Sequence, residues 1–208
     1  MSSSTAVSAP ASTTVSPVRA GAWFAGLFVG GLVLAGLLGT GTYPSPLDSE
    51  AAAAEYFADN GAVVLVQGLL HFLAALPLAL FAGGLTDRRA RIAGWGAATA
   101  LAVSGLINIA IPVLDAGGDT LHALHYGTFL AGGQIHVPLL GVMVLLGVRS
   151  LRATAPRWTT VLGAVAGSLA VLSLASFATE AVMLLLPLGR FTSILWITVT
   201  AVRAYRGK

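Results

Sequence analysis

Histidine, amide and charged side chains stand inside or beside long apolar runs of this 208-residue sequence. His71 follows Gln67 by four residues, so the two lie on one face of a helix, and Ser104 and Asn108 have the same spacing. Such groups are costly inside a membrane and mark functional sites when they occur there. We predict a ligand pocket from the following residues: Gln67, His71, Asn108, His125, Gln134, His136, Glu180 and Arg190.

The histidines leave two kinds of cofactor chemistry open. His71 and His136 belong to separate apolar runs, and two imidazoles from separate helices suit the axial positions of a haem. Asp119, His122 and His125 recur at every third residue, which turns them toward one side of a helix where they could bind a divalent metal. The sequence has no cysteine, P-loop, G-x-S-x-G or H-E-x-x-H motif that would specify a cofactor or a reaction.

Glu180 and Arg190 form a further pair of charges close to the end of the sequence. Both are expected near one membrane boundary on consecutive helices, where opposite charges can pair. We expect an ion pair that fixes the turn between these helices. The alternative is a proton or anionic-substrate site, because apolar surroundings would raise the pKa of the Glu180 carboxyl.

The composition determines which elements must position these groups. The chain is 56% hydrophobic and 9% charged, with a mean hydropathy of +0.87, whereas soluble domains have about 25% charged residues. This excludes an ordinary soluble globule, and whole-chain disorder is excluded because it requires low hydrophobicity. We predict an all-α, polytopic helix bundle in the cell (inner) membrane. The net charge of +3 reflects topology, so no nucleic-acid partner is expected.

Six apolar runs are long enough to cross a bilayer, which takes about 20 residues each. The predicted spans are about 22–41, 62–84, 92–114, 122–149, 158–181 and 184–203. Residues 1–20 are predicted to be a disordered tail, and residues 21–208 a single transmembrane domain. A short external helix is expected at about 48–59, ended by Asn60-Gly61. The turn between the last two spans falls within 180–189.

The placement of charge supports six spans with both termini in the cytoplasm. With this topology every basic residue except Arg190 lies inside, and every acidic residue except Asp87 lies outside. Basic residues near span ends orient membrane proteins. Trp23, Trp95 and Trp158 begin spans on the cytoplasmic side, where indole rings prefer the interface.

Depth along the spans predicts where the polar groups meet. We count 1.5 Å per residue from the arginine at the cytoplasmic end of each span. His71 and Asn108 then lie about 25 Å from the cytoplasmic side, and His136 about 20 Å. If the fourth span is one continuous helix, His122, His125 and His136 share one stripe, although Gly132-Gly133 leaves a kink open.

These depths place the polar groups in the outer half of the bilayer. We therefore expect an outward-facing polar pocket between helices 2–5, roofed by Asp115, Asp119 and Glu180. The alternative is that each polar group makes an interhelical hydrogen bond. Two glycine motifs allow helices to approach closely: Gly26-x3-Gly30 and Gly163-x3-Gly167. We interpret them as packing signals, and an oligomer formed through the glycine-rich faces is an open alternative.

Three segments carry a resemblance to a known family: LDSEAAAAEYFADNG before the second span, HALHYGTFLAGG followed by LLGVMVLLGVRSLRATAPRWTTVLGAVAGSLAVL, and LLPLGRFTSILWI near the end. In this order they resemble the uncharacterised bacterial six-helix membrane family catalogued as domain of unknown function 4386. The resemblance covers most of residues 22–203. It implies an all-helical inner-membrane protein and no assigned activity, so it assigns no catalytic residue.

Three functions follow from these observations. The first is binding of a small or lipophilic molecule in the outward-facing pocket, and we favour it. The second is a ligand-free structural subunit, in which the polar residues only join helices. The third is a membrane enzyme or redox protein that uses His71 and His136 as haem or metal ligands. Six spans are few for a secondary transporter, and no pair of broken helices marks a midplane site.

Overall fold

The computed structural model describes residues 17–45 and 48–206, leaving aside the side chains of residues 17, 18, 180 and 204–206. All the regular structure in this part of the chain is helical, which confirms the all-α part of the predicted fold class. The helices are α1 (Pro17–Leu38), α2 (Glu50–Gly83), α3 (Arg88–Val113), α4 (Gly118–Phe129), α5 (His136–Leu151), α6 (Arg157–Leu172) and α7 (Leu185–Arg206). The predicted tail of residues 1–20 lies mostly outside the described residues, and α1 already includes its last four.

Within the described residues, six helical segments are long and apolar enough to cross a membrane. They are Arg19–Leu38, Glu50–Gly83, Arg88–Val113, Gly118–Leu151, Arg157–Phe177 and Leu185–Arg203. The predicted number of long apolar helices is therefore confirmed. A chain with six such helices has the composition of a multi-pass membrane protein.

The external helix predicted at 48–59 corresponds to the first turns of α2, which begins after the N-cap Ser49. A kink with non-helical backbone angles at Asn60 separates these turns from the rest of α2. The buried Asn60 side chain accepts a 2.7 Å hydrogen bond from the Thr40 backbone N–H and donates to the carbonyls of Thr40 and Tyr56. These bonds support the kink, which lies where the external helix was predicted to end.

The fourth predicted span is continuous but not straight. A π-helical segment, Leu130–Ile135, joins α4 to α5. Gly132 lies so close to Ser104 of α3 that a side chain there would clash, and Pro138 lacks the N–H that a regular ladder needs. The wide turn shifts the helical register, and His125 and His136 consequently face different neighbours.

The fifth predicted span loses its regular helix earlier than expected. Helix α6 ends at Leu172 and is followed by a 3₁₀ segment, Ser173–Phe177. The Ser173 hydroxyl donates to the Ala170 carbonyl at 2.6 Å, a local bond that competes with the helical pattern. The turn toward α7 therefore falls at 178–184, at the early edge of the predicted interval.

Glycines allow the closest helix contacts. A Cβ atom added to Gly105 of α3 would lie 2.6 Å from the Phe72 backbone nitrogen of α2. One added to Gly141 of α5 would lie 2.8 Å from the Gly167 carbonyl oxygen of α6. Backbone atoms cannot move aside as a flexible side chain can, so both helix pairs require glycine at these points.

The two predicted glycine motifs have different surroundings. Gly163 and Gly167 pack against Trp196 and Leu145 within the bundle. No described atom beyond the neighbouring backbone lies within 4 Å of a Cβ placed on Gly26 or Gly30. The Gly163-x3-Gly167 motif thus serves internal packing, and the Gly26-x3-Gly30 motif lies on the outside of α1.

Candidate functional site

A partly open cavity of about 350 Å³ lies at the end of the bundle that carries the α1–α2 loop. Its wall includes four of the eight residues predicted for the pocket: Gln67, His71, Asn108 and Arg190. Further walls come from α1, α4, the π segment and the start of α7. The predicted position between helices 2–5 is therefore corrected, because the first and sixth spans line the cavity and the fifth does not.

The guanidinium of Arg190 dominates the charge of the cavity wall. It donates a hydrogen bond to the Gly132 carbonyl of the π segment and lies 5.5 Å from the centre of the Phe28 ring, a cation–π contact. Its Nε is buried and has no partner among the described residues. Arg190 therefore ties α7 to the fourth span and retains a donor that no described residue uses.

The predicted ion pair of Arg190 with Glu180 cannot be compared with these contacts, since the Glu180 side chain is not among those described. Among the described residues that line the cavity none is acidic. The lining instead combines Arg190 and His71 with apolar groups, of which Leu101 and Leu186 are examples. The described wall is thus suited to hydrogen-bond acceptors and negative charge.

His71 faces the cavity from α2. Its ring stacks on Phe28 with centroids 4.8 Å apart and planes at 15°, and only 7% of the residue is exposed. Its Nε2 has no hydrogen-bond partner among the described residues. A buried polar atom without a partner is costly unless a ligand or water supplies one.

His136 lies outside the cavity wall, although Phe28 is 6.4 Å from it by ring centroids. It is fully buried, and its Nδ1 donates to the Ala97 carbonyl at 2.8 Å. A carbonyl can only accept, so Nδ1 holds the proton and a neutral ring leaves Nε2 as an acceptor. His136 is thus not among the residues that line this cavity, and its Nε2, like that of His71, has no hydrogen-bond partner among the described residues.

His125 and the α1–α2 loop close the cavity from the side. The ring Nε2 of His125 donates to the Pro44 carbonyl at 3.1 Å, and its edge meets Tyr43 and Phe57 at centroid distances of 5.7 and 5.2 Å. Tyr43 in turn reaches the cavity, where its hydroxyl lies 3.4 Å from Asn108 Oδ1. His125 thus holds the loop in place and does not line the cavity itself.

Tyr43 and Phe28 also line the cavity, although neither was predicted from the sequence. Burial, with a smaller contribution from the charge of Tyr56, raises the pKa of the Tyr43 phenol above its ordinary value. The hydroxyl therefore stays protonated and can donate. No sequence pattern indicated Tyr43, because its contact with Asn108 spans 65 residues.

Gln134 is buried beside the cavity, where it joins two irregular segments. Its Nε2 donates to the Ser176 carbonyl of the 3₁₀ segment at 3.2 Å, and its Oε1 has no described partner. Ser104 makes a similar bond, since its hydroxyl donates to the Thr128 carbonyl at 3.1 Å. Both side chains therefore make hydrogen bonds between helical segments. This is the role expected if the polar residues join helices and do not bind a ligand.

The predicted metal group is not brought together. Among residues 17–45 and 48–206 as described, no group of three or more His, Cys, Asp or Glu side chains is placed to hold a metal ion. Asp119 and His122 are exposed, and His125 is directed to Pro44. Neither Asp115 nor Asp119 lines the cavity. For the described part of the chain, the predicted acidic roof is therefore corrected to the α1–α2 loop with Tyr43, which we call the Tyr43 loop.

Comparison with known proteins yields no relative: no family model, curated protein or solved structure matches this chain. The resemblance to domain of unknown function 4386 therefore stays a prediction, and the site has to be interpreted from its own chemistry.

Proposed function

We propose that this chain is an inner-membrane protein, with both termini in the cytoplasm, that binds a small amphipathic molecule in the cavity beneath the Tyr43 loop. The molecule has an apolar body and an anionic or hydrogen-bond-accepting group. The observation that carries the proposal is the cavity itself, in which the guanidinium of Arg190 and the imidazole of His71 face mainly apolar walls.

The size and chemistry of the cavity support this ligand class. About 350 Å³ is at the lower end of the range for small-molecule sites, which are mostly apolar with a few placed polar groups. Arg190 offers a positive charge and Tyr43 a neutral donor, and the described lining has no carboxylate to repel an anion. An anionic group would match the Arg190 charge, which no described lining residue does.

The orientation is proposed from charge. Seven of the eight acidic residues belong to segments of the sequence that are expected at the cavity end of the bundle. Ten of the eleven basic residues are expected at the other end. Basic residues mark the cytoplasmic side, so the cavity faces outward. The chain has no cysteine, which makes this directly testable.

Single cysteines at Gly117 and at Ser150 give the topology test. In intact cells we expect a membrane-impermeant maleimide to label Gly117→Cys but not Ser150→Cys, and to label both after the membrane is opened. Labelling of Ser150→Cys in intact cells would contradict the orientation. Recovery of the chain in the soluble fraction would contradict the membrane assignment itself.

A matched set of eight-carbon probes tests the ligand class. We expect octanoate to bind to the detergent-purified protein more tightly than octanol, and octylammonium not to bind, by calorimetry corrected for micelle partitioning. Arg190→Gln should abolish the preference for the acid, with at least a tenfold loss of octanoate affinity. Arg203→Gln is the control, because Arg203 is on the same helix but donates to Thr159.

Two results would favour the other functions. If none of the probes binds and Gln67→Cys and Asn108→Cys are both fully protected from small thiol reagents, the chain is better described as a structural subunit. A Soret absorbance band that is lost in His71→Ala and His136→Ala would support the haem-binding alternative.

A further inference from the structure

A second site lies at the opposite end of the bundle, in a groove between α5 and α6 beside the turn that connects them. Its volume is about 900 Å³, and Arg149, Arg152 and Arg157 stand at its mouth. Deeper in the groove the wall is apolar and includes Leu145 and Val161. The groove is remote from the cavity described above and shares no lining residue with it.

The three arginines of this groove have unused binding capacity. All three are exposed, and none makes a hydrogen bond or ion pair with another residue that the structure describes. Arg203 provides a contrast, since it donates to Thr159 at 3.1 Å and lies 5.9 Å from the Trp158 ring centre. The groove arginines are therefore free to bind an external anion.

The charge of the groove comes from these arginines. Helix α6 begins at Arg157 after Pro156 without a side-chain cap, but its positive end lies beside the negative C-terminal end of α5 at Leu151, so the two helix dipoles oppose each other there. The only acidic residue in the turns at this end is Asp87, and its carboxylate already caps α3 by accepting from the N–H groups of Arg89 and Ala90.

The position of the groove in the bundle selects the anion. It joins charge at the ends of two membrane-length helices, Gly118–Leu151 and Arg157–Phe177, to an apolar wall that continues toward their middle. A phosphate at the mouth with an acyl chain along Leu145 and Val161 matches both parts. A soluble anion would use only the mouth and leave the apolar wall bare.

We propose that the α5–α6 groove binds an anionic phospholipid of the cytoplasmic leaflet, with the headgroup phosphate on Arg149, Arg152 and Arg157 and an acyl chain against the apolar wall. The position in that leaflet rests on the proposed membrane orientation, whereas the binding itself can be measured in detergent without it.

The experiment compares two triple substitutions that remove equal charge. The groove variant carries Arg149→Gln, Arg152→Gln and Arg157→Gln. The control carries Arg88→Gln, Arg89→Gln and Arg91→Gln in the first turns of α3, where the neighbouring groove has no arginine in its wall. Each protein, purified in a neutral detergent, is titrated with dioctanoyl-phosphatidylglycerol or dioctanoyl-phosphatidylcholine, and bound lipid is counted by native mass spectrometry.

Basic residues at a lipid surface contribute about fivefold each to the attraction of anionic lipid. We therefore expect the groove variant to lose phosphatidylglycerol affinity on the order of a hundredfold, and the control less than about threefold, because the control arginines do not line the groove. Replacing the three groove arginines by lysine should restore most of the affinity. Phosphatidylcholine should bind weakly to all of the proteins.

Three outcomes would overturn the proposal: equal losses in both triple variants, equal binding of the two lipids, or displacement of phosphatidylglycerol by an equal concentration of inorganic phosphate. The last would identify a soluble-anion site. If the groove variant does not fold, the single Arg149→Gln and Arg157→Gln variants test the same point with about fivefold losses. Octanoate binding is measured on the same samples, so failure of the cavity and failure of the groove are distinguished.

Discussion

The two ends of the helix bundle are built differently. At the cavity end the helices are irregular: α2 bends at Asn60, the fourth span contains the π segment 130–135, and the fifth ends in the 3₁₀ segment 173–177. At the basic end α5 and α6 are regular helices joined by a short turn. The cavity that we assign to a ligand lies among the irregular segments, and the close packing around Trp196 lies among the regular ones.

Irregular backbone explains why polar side chains collect at the cavity end. A π or 3₁₀ turn breaks the regular ladder and makes carbonyl groups available to other partners. Two side-chain donors at this end bond such carbonyls: Arg190 donates to Gly132 in the π segment, and Gln134 donates to Ser176 in the 3₁₀ segment. Irregular backbone within membrane proteins is tolerated where it is buried in protein or lines a cavity. The irregular end thus holds the cavity, and the regular end holds the packing around Trp196 together with the α5–α6 groove at its surface.

The largest expected effect tests the regular end. Trp196 is 1% exposed and packs against Gly147 and Gly163, so Trp196→Ala should lower the free energy of unfolding by about 3–5 kcal/mol. Trp23→Ala is the control, because Trp23 is 64% exposed, and it should cost less than about 1 kcal/mol. Denaturant unfolding in detergent measures both. Comparable losses would show that the packing around Trp196 is not special.

The second prediction separates the two buried histidines. His136→Ala removes a fully buried ring and its bond to Ala97, so it should cost about 2–3 kcal/mol of stability while octanoate affinity is retained. His71→Ala removes the ring stacked on Phe28 but breaks no hydrogen bond to a described residue, so it should cost less, about 1–2 kcal/mol, and weaken octanoate binding severalfold. The reverse pattern would move the functional role from His71 to His136.

A double-mutant cycle on Glu180 and Arg190 has a smaller expected effect. If the charges pair as predicted, Glu180→Gln and Arg190→Gln should show a coupling energy of about 1 kcal/mol in thermal or denaturant unfolding. The cycle decides whether the Arg190 side chain is held only by Gly132 and Phe28 or also by the charge of Glu180 across the turn. Additive losses would argue against the ion pair.

The smallest effect concerns Tyr43 at alkaline pH. Its pKa is raised in the folded protein by burial, so its contribution to stability is complete below the unfolded-state value of about 10 and is lost as the pH rises further. Between about pH 9 and about pH 10.5 the wild type should lose about 0.8 kcal/mol more than Tyr43→Phe, because the slope only approaches about 1.4 kcal/mol per pH unit well above pH 10. Parallel curves for the two proteins would contradict the burial of this phenol.

Much of the fold could be predicted because composition and length are sufficient for it. Apolar runs of 20 or more residues form helices in an apolar medium, since each backbone group must be paired within its own segment. The count of long helices, the helical class and the region of the last turn followed from this. The segregation of charge indicated which ends of the spans lie together.

The site could be predicted only in part. Gln67, His71, Asn108 and Arg190 were found because polar groups at depth within apolar helices are conspicuous. Phe28 and Tyr43 were not, because an aromatic residue in a helix or loop of such a chain carries no distinguishing signal. The role of His125 was also hidden, since its partner, the Pro44 carbonyl, is 81 residues away.

The sequence by itself determined the number of long apolar helices, their polar exceptions and the charge at each end, because these depend on local composition and spacing. Only the tertiary structure decided which exceptions share a space. The π segment at Gly132 shifted the register of the fourth span, placing the backbone carbonyl that binds Arg190 beside the cavity and separating His136 from it. Such a shift depends on the contact of Gly132 with Ser104, a contact between distant segments that no local pattern contains.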